Sequence, residues 1–123
     1  MPKHVAIVGA STDRRKFGNK AVRAYRDLGY VVYPVNPHER SIEGLPAYAS
    51  VADIPGPVDM ASFYVPPDDG ERLVAGIAAK GIRELWLNPG AESDAVIRAA
   101  ERVGLHPILA CSILAIGVSP GAL

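Results

Sequence analysis

The sequence is poor in the features that mark secreted, membrane-spanning and nucleic-acid-binding proteins. A single cysteine, Cys111, excludes an internal disulfide. The 13 basic and 13 acidic residues cancel, so no net charge attracts the chain to nucleic acid or to an anionic membrane. The longest apolar run, residues 108–118, is shorter than the roughly 20 residues that a bilayer requires. No signal-peptide pattern opens the chain. We therefore expect a cytoplasmic protein without nucleic-acid or membrane partners.

Motifs for catalysis and metal binding are also missing. His4, His38 and His106 lie far apart, and none has metal-ligand spacing with Cys111. Ser11 lacks the G-x-S-x-G pattern that surrounds a hydrolase nucleophile, and no G-x-x-x-x-G-K-[ST] phosphate loop occurs. The sequence thus predicts no catalytic residue and no metal site, which favours a binding module over an enzyme.

Apolar strand-like runs alternate with amphipathic helical stretches along the whole chain, and about half of the residues are apolar. Strands are predicted at residues 4–9, 30–35, 58–65, 83–87 and 107–110, and helices at residues 18–28, 66–81 and 96–104. This alternation is typical of βαβ units. We predict one Rossmann-like α/β domain over residues 1–123, with a five-stranded parallel sheet in the order 3-2-1-4-5 and helices on both faces.

Ligands of such sheets bind beyond the carboxyl ends of the strands, which nominates the loop after the first strand. There a strand, a glycine turn and a helix start follow one another, so backbone N–H groups and the helix N-terminus favour an anion. The loop is not a G-x-G-x-x-G fingerprint, and a tight turn beside a solvated basic run explains it equally simply. The candidate phosphate-binding residues are Gly9, Ala10, Ser11, Arg14, Arg15, Lys16 and Gly18.

The end of the second strand lacks the acidic residue that binds the ribose diol in NAD-binding folds. The strand ends in Val35-Asn36-Pro37, and the first acid, Glu39, lies beyond it, which disfavours NAD. Arg40 and His38 could instead meet a ribose phosphate, as an arginine does in NADP sites. The alternative is that Asn36 and Pro37 form only a turn.

Two further turns lie at predicted strand ends. Val65, Pro66 and Pro67 would form a stiff wall, poor in N–H groups, against a flat adenine or an alkyl arm. The two prolines are equally well explained as a helix start. The turn at residues 88–90 could admit a ligand at its glycine, or could simply reverse the chain.

Together, these segments resemble the family of small stand-alone coenzyme A-binding proteins, which is similar to the N-terminal CoA-binding domain of the succinyl-CoA synthetase α subunit. The resemblance covers about residues 3–111 and implies a Rossmann-like fold, coenzyme A as the ligand and no established catalytic activity. By position, it puts Gly9 to Ser11 at the phosphates, Asn36 and Pro37 near the nucleotide, and Val65 to Pro67 beside the adenine and pantetheine. The segments that carry it are residues 5–11, 29–37, 58–60, 65–67 and 85–90.

The chain departs from that family around Cys111. The family commonly has an Asp-Arg pair before its cysteine and an acid after it, whereas here Leu109-Ala110 precede the thiol and residues 112–116 follow. The resulting apolar tail would pack on the sheet or form a homo-oligomer contact. A mixed disulfide between Cys111 and the thiol of coenzyme A is a further hypothesis, although apolar neighbours raise a thiol pKa.

We therefore predict a protein that binds coenzyme A or an acyl-CoA without catalysis of its own. Arg14, Arg15, Lys16 and Arg40 would supply most of the electrostatic affinity, including that for the 3′-phosphate. Two alternatives remain open: an NADP(H)-binding protein, and the CoA-binding part of an acyl-CoA ligase that a separate partner completes.

Overall fold

The computed structural model of the chain describes residues 2–123. Its strands are β1 (His4–Val8), β2 (Val31–Val35), β3 (Ser41–Ile42), β4 (Leu45–Pro46), β5 (Met60–Phe63), β6 (Glu84–Leu87) and β7 (Ile108–Leu109). Its α-helices are α1 (Phe17–Asp27), α2 (Pro67–Ala79), α3 (Asp94–Arg102) and α4 (Ser112–Ala115). Short 3₁₀ helices cover Val51–Asp53 and Pro120–Ala122. Within residues 2–123, no helix has both the length and the apolar character needed to cross a membrane.

Five of the strands form one parallel sheet in the order β2-β1-β5-β6-β7, and β3 and β4 form a separate antiparallel hairpin. Ala6 of β1 pairs with Tyr33 of β2 on one side and with Ala61 of β5 on the other. The predicted fold class, a five-stranded parallel sheet in an α/β domain, is thereby confirmed.

The predicted strand order 3-2-1-4-5 needs correction, because the third strand of the sheet pairs with the first and not with the second. Counting only the five sheet strands, the order is 2-1-3-4-5. Pro34 supplies the physical reason. Its carbonyl faces the outer edge of β2, where it accepts from the Tyr48 N–H at 2.9 Å. In a strand, the N–H of a residue points to the same side as its carbonyl. Because proline has no N–H, the outer edge of β2 lacks the donor that a further strand would need at this position. A strand with proline in this position belongs at a sheet edge.

Helices cover both faces of the sheet, as predicted. Side chains alternate along β1: Ala6 and Val8 face a core beneath α2 and α3, whereas Val5 and Ile7 face a core beneath α1. The strands are short and apolar on both faces, because a parallel sheet is buried between two helical layers. Helix α2 begins at Pro67 with two acids in its first turn, as the sequence predicts.

The apolar tail packs on the sheet of its own chain. Ile113 in α4 is completely buried in the α1-side core, together with Tyr25 and Met60. Leu109 and Leu114 stay exposed, at 54% and 60% of their surface. Of the two outcomes left open by the sequence, packing on the sheet is therefore the one that the structure shows.

A buried polar network anchors this tail at Ser112. The Ser112 hydroxyl lies 2.7 Å from the hydroxyl of Ser62 and 3.0 Å from that of Tyr64. The Ser112 N–H donates to Asn88 Oδ1 at 2.8 Å, and the Asn88 amide donates to Ser62 Oγ at 2.7 Å. Burial raises the pKa of Tyr64 above its ordinary value. The tail is therefore joined to the carboxyl ends of β5 and β6.

We expect Ser112→Ala to destabilise the protein by about 1–3 kcal/mol, because it leaves the Ser62 and Tyr64 hydroxyls without their shared partner. Ser119→Ala, at an exposed position near the chain end, is the matched control and should change stability by less than about 0.5 kcal/mol. Urea unfolding followed by circular dichroism measures both. Equal effects of the two substitutions would contradict the anchoring role of Ser112.

Candidate functional site: two clefts at the carboxyl edge of the sheet

Two adjoining clefts open where β1, β2, β5 and β6 end. The smaller cleft has a volume of about 510 Å³ and lies at the start of α1. The larger cleft has a volume of about 730 Å³ and lies between the end of β2, the 3₁₀ helix Val51–Asp53 and helix α2. The clefts share Gly9, Asn36 and Val65, so one extended ligand could occupy both.

Most of the residues nominated from the sequence line these clefts. The smaller cleft contains Gly9, Ala10, Ser11, Lys16, Gly18, Asn36, Val65, Pro66 and Pro67. Pro37 lines the larger cleft. Segments that are widely separated in the sequence are therefore brought to one edge of the sheet, as expected for parallel strands.

Arg14, Arg15 and Arg40 line neither cleft. The Arg14 guanidinium donates to Glu43 Oε1 at 2.6 Å, so its charge is already paired. Arg15 donates to both carboxylate oxygens of Asp13, at 3.1 and 3.0 Å, and this contact lowers the pKa of Asp13 to about 2. Of the basic run after β1, only Lys16 is placed against the smaller cleft.

The first two N–H groups of the loop are not directed at a ligand. Both Gly9 and Ala10 donate to the carbonyl of Val35, at 3.1 and 3.2 Å. At the start of α1, by contrast, the Phe17 and Gly18 N–H groups have no hydrogen-bond partner within residues 2–123. Because they are the first N–H groups of the helix, they carry its positive end. The Ser11 N–H likewise has no hydrogen-bond partner within residues 2–123, so unpaired N–H groups occur both in the loop and at the helix start.

Helix α1 meets the loop through two glycines. Gly9 has a φ of +91°, and a Cβ there would lie 2.5 Å from the carbonyl oxygen of Tyr64. A Cβ on Gly18 would lie 2.2 Å from the carbonyl oxygen of Gly9. Glycine at both positions is therefore required for the close approach of α1 to β1 and β5, which is the packing role of the later glycine in dinucleotide-binding loops.

A polar network missed by the sequence analysis ties this loop to the β3–β4 hairpin. Completely buried Asn19 donates to Ser11 O at 2.9 Å and to Glu43 Oε2 at 3.0 Å, and it accepts from Arg23 Nε at 2.8 Å. Arg23 also donates to Arg14 O at 2.9 Å. These contacts join the loop to helix α1 and to the β3–β4 hairpin. The signal available in the sequence was the polar pair Asn19 and Arg23, which are four residues apart in the first turns of α1 and can therefore contact each other.

The Glu43 carboxylate at the hairpin turn is stabilised in its ionised form. The hydrogen bond from Asn19 and the nearby charge of Arg14 lower the pKa of Glu43 below its ordinary value of 4.5, although burial acts in the opposite direction. Its backbone has a φ of 52°, and Gly44 follows with a φ of 77°, as in a tight hairpin turn. The charge that holds the loop therefore comes from a segment remote in sequence.

Asn36 is a structural part of the site as well as a lining residue. Its side-chain amide donates to Ala10 O at 2.8 Å, and its Oδ1 accepts from the His38 N–H at 2.7 Å. The side chain thus connects the ends of β1 and β2 where the two clefts meet.

Further lining residues were missed or left unassigned by the sequence analysis. In the smaller cleft they are Phe17, Tyr64, Pro89, Gly90 and Ala91. In the larger cleft they include Asp69, Arg72 and Leu73. His38, which the sequence analysis named as a possible contact to a ribose phosphate, lines the larger cleft as well. The turn at residues 88–90 was nominated by its place at a strand end, whereas nothing in the sequence pattern marks Asp69 or Arg72 on helix α2. Cys111 is half-buried before α4 and lines neither cleft.

Comparison with known proteins now decides the family. Residues 3–117 match the family described as CoA binding domain. The chain belongs to this CoA-binding domain family. This membership confirms the resemblance that the sequence segments predicted.

Several curated proteins that this CoA-binding domain matches are ADP-forming acetate–CoA ligases or their subunits. The α subunit of ADP-forming acetate–CoA ligase II of Pyrococcus furiosus is 36% identical over 118 residues, which is 87% of this chain and 26% of that protein. ADP-forming acetate–CoA ligase I of Archaeoglobus fulgidus is 34% identical over 114 residues, 85% of this chain and 17% of that protein. This CoA-binding domain therefore spans about a quarter or less of these relatives.

Solved structures of one protein of similar size and of one much larger protein also share the fold. A conserved hypothetical protein of Pyrococcus furiosus is 34% identical, with a TM-score of 0.83 over 92% of this chain and 98% of that one. Acetyl-coenzyme A synthetase 1 of Ca. Korarchaeum cryptofilum, solved with phosphate and ADP, is 28% identical, with a TM-score of 0.77 over 89% of this chain and 26% of that one. The Rossmann-like fold of the CoA-binding domain occurs in both small and large proteins.

We expect Gly18→Ala to destabilise the domain by about 1–3 kcal/mol, because the added methyl group overlaps the Gly9 carbonyl. Gly76→Ala is the matched control, since it also lies inside a helix but has nothing within 4 Å of the added Cβ. There, removal of glycine should stabilise the helix by about 0.5–1 kcal/mol. Thermal unfolding that shows the same sign for both substitutions would disprove the close contact.

We expect the stabilisation contributed by Glu43 to depend on pH. Because its folded pKa is lowered, the contribution is complete above about pH 4.5 and is lost as the pH falls through the folded value. The difference in unfolding free energy between wild type and Glu43→Gln should therefore shrink below pH 4.5. Urea unfolding at pH 7, 4.5 and 3 measures it, with exposed Glu101→Gln as the control. A constant difference across this range would refute the assignment.

Proposed function

We propose that this domain binds coenzyme A across the two clefts, with the diphosphate at the start of α1. The observation that carries the proposal is the continuity of the two clefts around Gly9 and Asn36 in a member of the CoA-binding domain family. The free N–H groups of Phe17 and Gly18 and the charge of Lys16 meet on the smaller cleft, which suits a diphosphate.

The two remaining parts of coenzyme A, the adenosine end and the pantetheine arm, would extend from this proposed diphosphate site along the larger and the smaller cleft. The larger cleft is mainly apolar, with Val35, Val51 and Leu73 among its walls, and its size falls within the range of small-molecule sites. We assign it to the adenine. The pantetheine arm would follow the other side, along Tyr64 and the prolines Pro66 and Pro89.

Contacts in the clefts favour coenzyme A over NAD. Glu39, the first acid after β2, lines neither cleft. Asp69 does line the larger cleft, but it lies in the first turn of α2 and not at the end of β2, where the ribose-binding acid of NAD-binding folds lies. Among the described residues, no carboxylate at the end of β2 therefore lines the clefts.

We further propose that binding proceeds without chemistry on the ligand. Ser11 lines the smaller cleft, but its hydroxyl accepts from the Asp13 N–H at 3.0 Å and has no histidine beside it. The Ser62 and Ser112 hydroxyls are buried within the internal network. The domain would act as a carrier or sensor of coenzyme A.

We expect coenzyme A to raise the melting temperature, while NAD⁺ and NADP⁺ leave it unchanged. A ligand that binds only the folded state stabilises it by about 2.7 kcal/mol at 100 times its Kd. A thermal shift series with the three ligands at equal concentration measures the effect. A shift with NAD⁺ or NADP⁺ that equals the shift with coenzyme A would overturn the proposed specificity.

We expect Lys16→Gln to weaken coenzyme A binding by about 10- to 100-fold, because it removes a charge-assisted contact worth about 1.5–3 kcal/mol. Lys3→Gln makes the same charge change at an exposed site away from both clefts and is the control. Calorimetric titration at two salt concentrations should show a weaker salt dependence for Lys16→Gln. Identical affinities for the two variants would argue against a diphosphate site at α1.

The relatives support a second candidate function, in which the domain supplies the CoA site of an ADP-forming ligase completed by a separate protein. Adding the purified domain to the Archaeoglobus fulgidus ligase from which the matched segment has been deleted tests it. Restored formation of acetyl-CoA from acetate, ATP and coenzyme A would favour this candidate. Absence of activity, with coenzyme A still bound by the domain, would favour the stand-alone binding role.

A further inference from the structure

The larger cleft carries a charged pair on its α2 wall. Asp69 and Arg72, one helical turn apart, both line the cleft and form an ion pair with each other. Among the described residues that line this cleft, Arg72 is the one arginine and there is no lysine, and His38 lies on the opposite wall beside Asn36. An otherwise apolar cleft thus has one strong anion-binding group at its edge.

The position of the diphosphate limits what Arg72 can meet. If the diphosphate occupies the start of α1, the nucleoside end of the ligand enters the larger cleft through the shared residues Gly9, Asn36 and Val65. A phosphate on the ribose would then lie in the larger cleft, whose walls carry Arg72 on α2 and His38 after β2. Lys16 lies in the smaller cleft and serves the diphosphate.

The ion pair can be exchanged at low cost. The Arg72 and Asp69 side chains are 70% and 47% exposed, and exposed pairs of this kind contribute little to stability. A phosphate dianion offers the guanidinium more charge and a matching pair of oxygens. Replacing the carboxylate by a phosphate is therefore favourable for the ligand and nearly neutral for the fold.

We propose that Arg72 selects nucleotides with a 3′-phosphate on the ribose, and that Asp69 competes with this phosphate for the guanidinium. The inference depends on the proposed function, because it requires the adenosine end of the ligand in the larger cleft. The residues that discriminate between coenzyme A and dephospho-CoA would thus be Asp69 and Arg72 on α2. Arg40 would not contribute, since it lines neither cleft.

Calorimetric titration with coenzyme A and with dephospho-CoA tests the proposal on wild type, Arg72→Gln, Asp69→Asn and Arg40→Gln. Arg98→Gln, an exposed arginine on α3 away from both clefts, is the control for the loss of one charge. All of these positions lie on the surface or at the cleft edge, and melting temperatures without ligand report whether each variant folds.

Wild type should bind coenzyme A at least about tenfold more tightly than dephospho-CoA. Arg72→Gln should bring this ratio close to one, with the dephospho-CoA affinity unchanged. Asp69→Asn should increase the ratio, because the competing carboxylate is gone. Arg40→Gln and Arg98→Gln should keep the wild-type ratio.

The outcomes separate this inference from the proposed function. If both ligands bind wild type equally, or if Arg40→Gln rather than Arg72→Gln removes the difference, the role of Arg72 is overturned while coenzyme A binding stands. If neither ligand binds, the proposed function is overturned and the inference with it. An unchanged ratio in Asp69→Asn would overturn the competition between carboxylate and phosphate.

Discussion

The close contact between helix α1 and the end of β1 is the constraint on which the rest of the site depends. Gly18 lies against the Gly9 carbonyl, and Gly9 in turn lies against the backbone of Tyr64. Side chains at these positions would push the helix away from the sheet. Because the contact is made by backbone atoms, the first N–H groups of α1 lie at the sheet edge where β1, β2 and β5 end. The same contact therefore packs helix α1 on the sheet and forms one wall of the smaller cleft.

Several arginines near the clefts are paired with carboxylates, so their positive charges do not add up to one basic surface. Three of the arginines nearby are occupied: Arg14 by Glu43, Arg15 by Asp13 and Arg72 by Asp69. Arg23 is buried and holds the loop through Asn19. Lys16 has no carboxylate partner within residues 2–123 and lies on the smaller cleft. A run of basic residues in a sequence thus overstates the charge that a ligand meets.

The polar network around Ser112 attaches the C-terminal tail to the sheet. Strand β7 contains only two residues, both exposed, and contributes little apolar burial. The tail instead gains its attachment from Ile113 in the core and from hydrogen bonds to Ser62, Tyr64 and Asn88. Tyr64 belongs both to this network and to the smaller cleft, so the tail supports one wall of the site.

The sequence by itself determined the α/β class, the parallel sheet and the strand ends at which the clefts lie, because apolar periodicity and glycine turns are local signals. It also marked the loop glycines and the segments around Asn36 and Pro66. Strand order was decided by tertiary structure, although Pro34 carried an edge-strand signal that the prediction did not use. Which arginines face the clefts was decided in the same way. The partners of Arg14 and Arg72, and the burial of Asn19 against Glu43, depend on how separate segments meet in space, and a linear pattern of charges does not record those distances.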